Sequence, residues 1–221
     1  MYNSVIFDVD GTLLDGTEGI IKSVKYAIDE MNLSQITEEQ LISFVGPPVQ
    51  NSAKNIFNLN DNDAQEFANI FRKQYAVGDV FLAKVYDGIY DLLGYLKEKN
   101  IKMGVATYKR EDYAIDLMKH FGLDKYFDSI CGADNENKLK KIDVLQNCIN
   151  NLSKNREDVI MIGDSCHDAE ASQNLGVSFI GVTYGFGFKN SDEIIKYKPI
   201  FVAKNIYEIL KYFTGNIRNL Q

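Results

Sequence analysis

The sequence predicts an α/β protein with a doubly wound, mostly parallel sheet and an inserted all-helical domain. Short apolar runs alternate with amphipathic helical patterns, and most of these runs are apolar at consecutive positions, as in strands covered on both faces. The insert is predicted because the stretch after the first run carries helix signals and no good strand. The strand candidates are 5–9, 102–106, 129–131, 159–162, 178–182 and 200–202.

The insert is predicted to occupy residues 16–85. Thr37 and Gln40 have the spacing of a capping box at a helix start. Because Pro cannot continue a helix interior, the tripeptide 46–48 (Gly-Pro-Pro) predicts a break between two helices. A later helix has one apolar face, formed by Ala64, Phe67, Ala68, Phe71 and Tyr75.

After the insert, predicted strands and helices alternate along the rest of the sequence. Apolar residues repeat at helical spacing in three stretches, which begin at Ile89, Ile142 and Ile206. The resulting domain prediction is an α/β core formed by 1–15 and 86–221, with 16–85 as the helical domain.

Composition narrows the functional classes. The 221 residues include Lys+Arg 24 and Asp+Glu 31, so the net charge is −7. An acidic chain is a poor match for nucleic acid or an anionic membrane surface, because both attract positive charge. The three cysteines lack CxxC spacing, and neither a signal peptide nor a membrane-spanning run is found. We therefore expect a cytoplasmic protein, with monomer and homodimer both left open.

The strongest chemical signal follows the first strand. Asp8 and Asp10 stand two residues apart, so strand alternation puts their carboxylates on the same side. Two carboxylates this close repel each other unless one is protonated or a cation lies between them. Gly11 and Thr12 predict a turn whose free N–H groups suit phosphate oxygens.

The segment 8–12 (Asp-Val-Asp-Gly-Thr) resembles the first motif of the haloacid dehalogenase-like phosphohydrolases, and further motifs of that family follow in order. Thr107 ends the second core strand, and the lysine cluster 138–141 precedes a predicted helix. Asp164 and Asp168 follow a late apolar strand. The segments 44–48, 105–109 and 141–145 resemble the phosphoglycolate phosphatase-like subgroup, and 141–145 favours Lys141 over Lys138 and Lys140.

The resemblance implies a Rossmann-like core with a helical cap, and a Mg²⁺-dependent phosphatase that acts through an aspartyl-phosphate on a small phosphorylated metabolite. It implies catalytic roles for Asp8 as nucleophile, Asp10 as acid and base, and Thr107 and Lys141 as phosphoryl-binding groups. Asp8, Asp10, Asp164 and Asp168 are the implied metal ligands, with Asp10 acting through its backbone carbonyl. The expected substrate-binding residues are Gly11, Thr12, Gly46, Tyr108 and Lys109.

Other functions stay open at this point. Phosphoglycolate is the first substrate guess, and pyrophosphate and nucleoside monophosphates compete within the same class. A sugar phosphomutase or a metabolite sensor could use the same fold. A receiver domain is disfavoured, because its second Asp precedes the Thr. The segment 184–188 (Tyr-Gly-Phe-Gly-Phe) favours a core-packing loop over a loop beside the site.

Overall fold

The computed structural model describes residues 2–136, 138–152 and 155–215. The strands, in chain order, are β1 (Ser4–Phe7), β2 (Leu14–Asp15), β3 (Lys84–Val85), β4 (Lys102–Arg110), β5 (Ser129–Ala133), β6 (Val159–Gly163), β7 (Ser178–Val182) and β8 (Phe201–Ala203). The α-helices are α1 (Thr17–Glu30), α2 (Glu38–Ile42), α3 (Val49–Phe57), α4 (Asp61–Ala76), α5 (Ile89–Glu98), α6 (Glu111–His120), α7 (Lys141–Leu152), α8 (Cys166–Leu175), α9 (Ser191–Ile195) and α10 (Ile206–Thr214).

Six strands form one sheet in the order β5-β4-β1-β6-β7-β8, and every neighbouring pair is parallel. β1 lies between β4 and β6, with Phe7 opposite Val105 on one side and Ile162 on the other. Because parallel strands end at the same edge of a sheet, the residues that follow β1 and β6 meet there. The predicted α/β fold class is confirmed.

Helices cover both faces of the sheet. Val5 and Phe7 of β1 belong to one apolar cluster, which includes Leu92 of α5. Ile6 points to the other face and belongs to a second cluster with Leu145 of α7, as strand alternation requires. Within the described residues, no helix combines the length and the apolar character needed to cross a membrane.

Two neighbouring strands of the sheet, β4 and β5, run further than the sequence predicts. β4 continues past residue 106 to Arg110, and β5 continues to Ala133. The pairing is irregular beyond Ala106 and resumes where Arg110 lies opposite Ala133. The extension is formed by backbone pairing of polar residues, so no apolar pattern marks it in the sequence.

Helices α1 to α4 lie in the stretch predicted as the insert, and α4 packs against α1 and α3. The capping box of α2 is confirmed, because Thr37 and Gln40 exchange side-chain to backbone hydrogen bonds. The expectation of no good strand within 16–85 is wrong at the end of that stretch, where β3 pairs antiparallel with β2. A two-residue strand is too short to show alternation. That α1–α4 act as a separate cap remains a proposal.

Candidate active site

Asp8 and Asp10 lie at the carboxyl end of β1, and each is only 6% exposed. The turn that follows uses the N–H groups expected to be free. Gly11 donates to the Leu14 carbonyl over 2.9 Å, and Thr12 donates to the Val9 carbonyl over 3.2 Å. The expectation of free N–H groups at Gly11 and Thr12 is therefore wrong, because the turn itself needs them. A role of these two residues in substrate binding stays a prediction.

Thr107 and Lys109 belong to the polar extension of β4. Thr107 is buried, and its hydroxyl accepts a hydrogen bond from the Lys109 backbone N–H over 3.1 Å. The Lys109 ammonium lies 3.0 Å from Asp10 Oδ2 and donates to the Tyr75 hydroxyl over 2.8 Å. Burial opposes the charge of Lys109, but Asp10 and Tyr75 outweigh it and raise the Lys109 pKa. The Lys109 ammonium on β4 therefore contacts both the turn after β1 and helix α4.

Of the three lysines considered, Lys141 reaches the site. It is the first residue of α7, and its buried Nζ lies 2.6 Å from Asp8 Oδ1 and 2.7 Å from Asp168 Oδ1. Lys138 is exposed and forms an ion pair with Glu136. Lys140 is exposed as well. The position of Lys141 at a helix start next to β1 brings its side chain between two buried carboxylates.

Asp164 follows β6 and is held by a glycine-containing loop. Its Oδ2 accepts hydrogen bonds from the backbone N–H groups of Phe186 and Gly187, over 2.7 and 3.0 Å. Gly11 and Gly185 pack so closely that a Cβ at either position would lie 2.2 or 2.4 Å from the same oxygen. The loop 184–188 thus lies beside the site and positions Asp164, whereas the sequence favoured a purely packing role.

Asp168 is fully buried in the first turn of α8. Its Oδ2 accepts hydrogen bonds from the Ser165 N–H and hydroxyl over 3.1 and 2.6 Å, and the Ser165 hydroxyl accepts from the Asp168 N–H. This capping box fixes one carboxylate oxygen of Asp168 while the other pairs with Lys141. Asp168 therefore orients the Lys141 ammonium.

The site carries more negative than positive charge. Carboxylate oxygens of Asp8, Asp164 and Asp168 lie within 4.8 Å of one another, and all three residues are buried. Burial, together with the neighbouring carboxylates, raises the pKa of Asp8 to about 7 even though Lys141 lies beside it. Burial and Asp168 raise the pKa of Asp164 to about 6. Three carboxylates around one ammonium supply oxygen ligands that fit a hard divalent cation. Such a cation would relieve the repulsion between the carboxylates.

The Asp10 side chain is not part of this carboxylate group and pairs with Lys109 instead. A ligand role for Asp10 would therefore depend on its backbone carbonyl. The prediction that Asp8, Asp10, Asp164 and Asp168 all bind metal stays a prediction.

Two cavities border these residues. The first, which we call the Asp10 chamber, has a volume of about 70 Å³ and is lined by Asp10, Gln50, Arg72, Tyr75, Lys109 and Arg110, among others. The second, the entrance groove, has about 820 Å³ and borders Asp8, Lys141 and Asp164. Gly46 and Tyr108 line both cavities, so the loop 46–48 separates them on the insert side.

Sequence reasoning missed two contributions to the site. Tyr75 was assigned only to an apolar helix face, yet its hydroxyl contacts Lys109. A phenol at the end of an otherwise apolar stripe is the signal that could have indicated a polar partner. Gln50 lies just after the Pro-Pro segment and was not considered, and no local pattern distinguishes it from a solvent-exposed glutamine.

Comparison with known proteins agrees with this geometry. The chain matches the haloacid dehalogenase-like hydrolases over residues 5–182. It is 31% identical over 199 residues to a 5'-nucleotidase of Pseudomonas aeruginosa, covering 90% of this chain and 89% of that one. It is 30% identical over 209 residues to the pyrophosphatase PpaX of Halalkalibacterium halodurans, covering 94% and 95%. A crystal structure of a predicted phosphatase from Clostridium acetobutylicum superposes with a TM-score of 0.90 at 35% identity, covering 97% and 99%. The chain therefore belongs to the haloacid dehalogenase-like hydrolases and is a phosphatase of that family.

Proposed function

We propose that this protein is a Mg²⁺-dependent phosphatase that hydrolyses a small phosphomonoester through an aspartyl-phosphate on Asp8. The single observation that carries the proposal is that the two carboxylates at the end of β1 have different lysine partners. Asp8 pairs with Lys141, whereas Asp10 pairs with Lys109, over 2.6 and 3.0 Å. Two neighbouring carboxylates with different partners can perform different chemistry, as acid–base pairs in other enzymes do.

In the first step, an Asp8 carboxylate oxygen attacks phosphorus, and the bond from phosphorus to the ester oxygen breaks. Asp10 donates its proton to that leaving oxygen, so the alcohol departs neutral. In the second step, water attacks phosphorus, Asp10 takes a proton from the water, and the bond from phosphorus to Asp8 breaks. Asp8 and Asp10 end in their starting states, and inorganic phosphate is released.

The remaining residues hold the phosphoryl oxygens and the nucleophile. Lys141 contacts Asp8 and is oriented by Asp168, so its ammonium can neutralise charge at the transferring group. Thr107 offers a buried hydroxyl on β4. Asp8, Asp164 and the Asp10 carbonyl would hold Mg²⁺, with Asp168 as a further ligand or as a partner of Lys141. When bound, Mg²⁺ supplies charge neutralisation to the phosphoryl oxygens and favours the ionised form of Asp8.

The experiment is phosphate release from a panel of phosphomonoesters and pyrophosphate, with Mg²⁺, with EDTA, and with Asp8→Asn. The proposal expects release that requires Mg²⁺ and is lost in Asp8→Asn. Release that persists in EDTA would contradict the metal requirement, and release by Asp8→Asn would contradict the covalent step. Rapid-quench trapping of ³²P-labelled protein from a ³²P-ester would detect the aspartyl-phosphate directly.

Pyrophosphatase and 5'-nucleotidase activities are alternatives within the same chemistry, because relatives at 30% and 31% identity carry those names. Both would release phosphate in the same panel, so the ranking of kcat/KM separates them. A sugar phosphomutase would instead interconvert sugar phosphates without releasing phosphate.

A further inference from the structure

The Asp10 chamber contains buried donors without partners. Gln50 is 8% exposed, so it is more than nine-tenths buried. Its side-chain Nε2 and the Nη1 of Arg72 are buried and have no hydrogen-bond partner among the described residues. Both side chains line the chamber. A buried donor left unpaired costs about 1–3 kcal/mol, so the arrangement favours a ligand that supplies an acceptor to both.

Asp10 Oδ1 is also buried without a hydrogen-bond partner among the described residues, and the other charged groups of the chamber already have partners. Lys109 is paired with Asp10 and Tyr75. Arg110 donates to both carboxylate oxygens of Asp112, over 2.6 and 2.5 Å, and to the Asn135 side chain.

Asp134 also lines the chamber, but its carboxylate accepts backbone N–H groups from Glu136, Lys138 and Leu139. The Arg72 guanidinium therefore carries a positive charge, and its Nη1 still lacks a hydrogen-bond partner among the described residues. Burial and the nearby Arg110 lower the Arg72 pKa, which is the direction expected of a cation that lacks an anion.

The position of Asp10 decides which cavity receives the leaving group. Asp10 lines the chamber, whereas the entrance groove borders Asp8, Lys141 and Asp164 instead. Because the proposed acid must reach the ester oxygen, the leaving group lies on the chamber side.

We propose that the Asp10 chamber binds a second anionic group carried by the leaving group, with Gln50 and Arg72 as the residues that determine this specificity. The inference rests on the proposed function and names its substrate class: a phosphomonoester whose leaving group bears a carboxylate or a second phosphate. A nucleoside carries no such group, so nucleoside monophosphates are not expected as preferred substrates.

The test compares charged esters with uncharged esters of the same shape. Phosphoglycolate is measured against its uncharged amide, and phosphonomethyl phosphate against its dimethyl phosphonate ester, so that the two pairs distinguish a carboxylate from a phosphate. p-Nitrophenyl phosphate reports basal phosphatase activity in the same assay. The expected result is a higher kcat/KM for the charged member of at least one pair, by about 10–100-fold, as for hydrogen bonds to a charged group.

Variants assign the preference to the two residues. Arg72→Met removes the charge and keeps the length, and Gln50→Leu removes the donor and keeps the size. We expect either change to abolish most of the preference for the charged ester through KM, with the uncharged ester changed less than about 3-fold, as for lost ground-state binding. Lys73→Met, at the exposed next position of α4, is the matched control and should keep the parent ratio. Arg72→Lys should restore part of the preference for the charged ester. It serves as the test variant if Arg72→Met does not fold.

Four outcomes would overturn the inference. Equal kcat/KM for both members of each pair, or an Arg72→Met enzyme whose ratio equals that of Lys73→Met, removes the anion site while leaving the phosphatase proposal intact. A nucleoside monophosphate as the best substrate does the same. If folded, Mg²⁺-supplied protein releases no phosphate from any ester, p-nitrophenyl phosphate included, the proposed function fails and the inference fails with it.

Discussion

The Lys109 ammonium donates a 2.8 Å hydrogen bond to the Tyr75 hydroxyl, and this bond ties strand β4 to helix α4. The same ammonium lies 3.0 Å from Asp10 Oδ2. All three side chains are buried, so water competes little for these contacts. The position of the helical insert is thereby coupled to the carboxylate that we propose as acid and base.

Removing the Tyr75 hydroxyl tests this coupling. We expect Tyr75→Phe to lower kcat/KM by about 2–12-fold, which corresponds to the net worth of about 0.5–1.5 kcal/mol for one hydrogen bond. The reason is that Lys109 loses the partner that holds it beside Asp10. Steady-state phosphate release measures the effect. Tyr26→Phe, on the exposed side of α1, is the control, and equal rates for both variants would refute the coupling.

Substitution of Lys141 and of Lys138 tests which of these two lysines acts in the site. Lys141→Met should lower kcat/KM by about 10²–10³-fold, as for other groups that stabilise transition-state charge. It should also lower the thermal midpoint, because Asp8 and Asp168 would keep their burial and lose their shared cation. Lys138→Met, at an exposed residue paired with Glu136, should change kcat/KM by less than about 2-fold. Similar losses in both variants would count against our assignment of Lys141.

The glycine loop offers a steric test of Asp164. A Cβ at Gly185 would lie 2.4 Å from Asp164 Oδ2 and 2.4 Å from the Gly11 carbonyl oxygen, and the second atom belongs to the backbone. Gly185→Ala should therefore displace Asp164 and raise the Mg²⁺ concentration needed for half-maximal rate by at least about 10-fold, as for lost metal-positioning contacts. Gly94→Ala, in α5 with no atom within 4 Å of the new Cβ, should keep the Mg²⁺ dependence and add up to about 1 kcal/mol of stability. An unchanged Mg²⁺ requirement in Gly185→Ala would speak against Asp164 as a ligand.

The pKa values of Asp8 and Asp164 make metal-free stability depend on pH. Folding raises them from 3.8 to about 7 and about 6, so the folded protein binds more protons than the unfolded chain across that window. The contribution of these two groups to stability in EDTA should thus be fully present below about pH 4 and should be lost as the pH rises towards 7. Added Mg²⁺ should restore stability, and more strongly at higher pH, because it competes with protons for the same carboxylates.

Thermal midpoints in EDTA and in Mg²⁺ between pH 5 and pH 8 measure this linkage. Asp8→Asn removes one titrating group and should flatten the decline in EDTA. Asp116→Asn, at an exposed position of α6, should keep the decline of the parent protein. A metal-free midpoint that rises from pH 5 to pH 7 in the parent protein, relative to Asp8→Asn, would contradict the direction of the Asp8 pKa shift.

The strands were predictable to the extent that they are apolar. All six runs assigned to the core sheet correspond to strands of that sheet. The polar end of β4 and the two-residue ribbon of β2 and β3 were not predicted, because backbone pairing forms them and their side chains carry no pattern. The loop 184–188 was misjudged for a related reason: its N–H groups, not its side chains, bind Asp164.

The order of motifs along the chain was enough to indicate the family, because Asp8, Thr107, Lys141 and Asp164 follow strands or open a helix at one sheet edge. The resemblance of 141–145 favoured Lys141, but local sequence could not settle the choice against Lys138 and Lys140, since a position along the chain does not say which ammonium reaches a carboxylate 133 residues away. Packing of α7 against the sheet makes that choice. Packing of α4 against α1 and α3 likewise places Tyr75 where its hydroxyl meets Lys109, because contacts between distant segments form only when the buried apolar faces of both are matched in space.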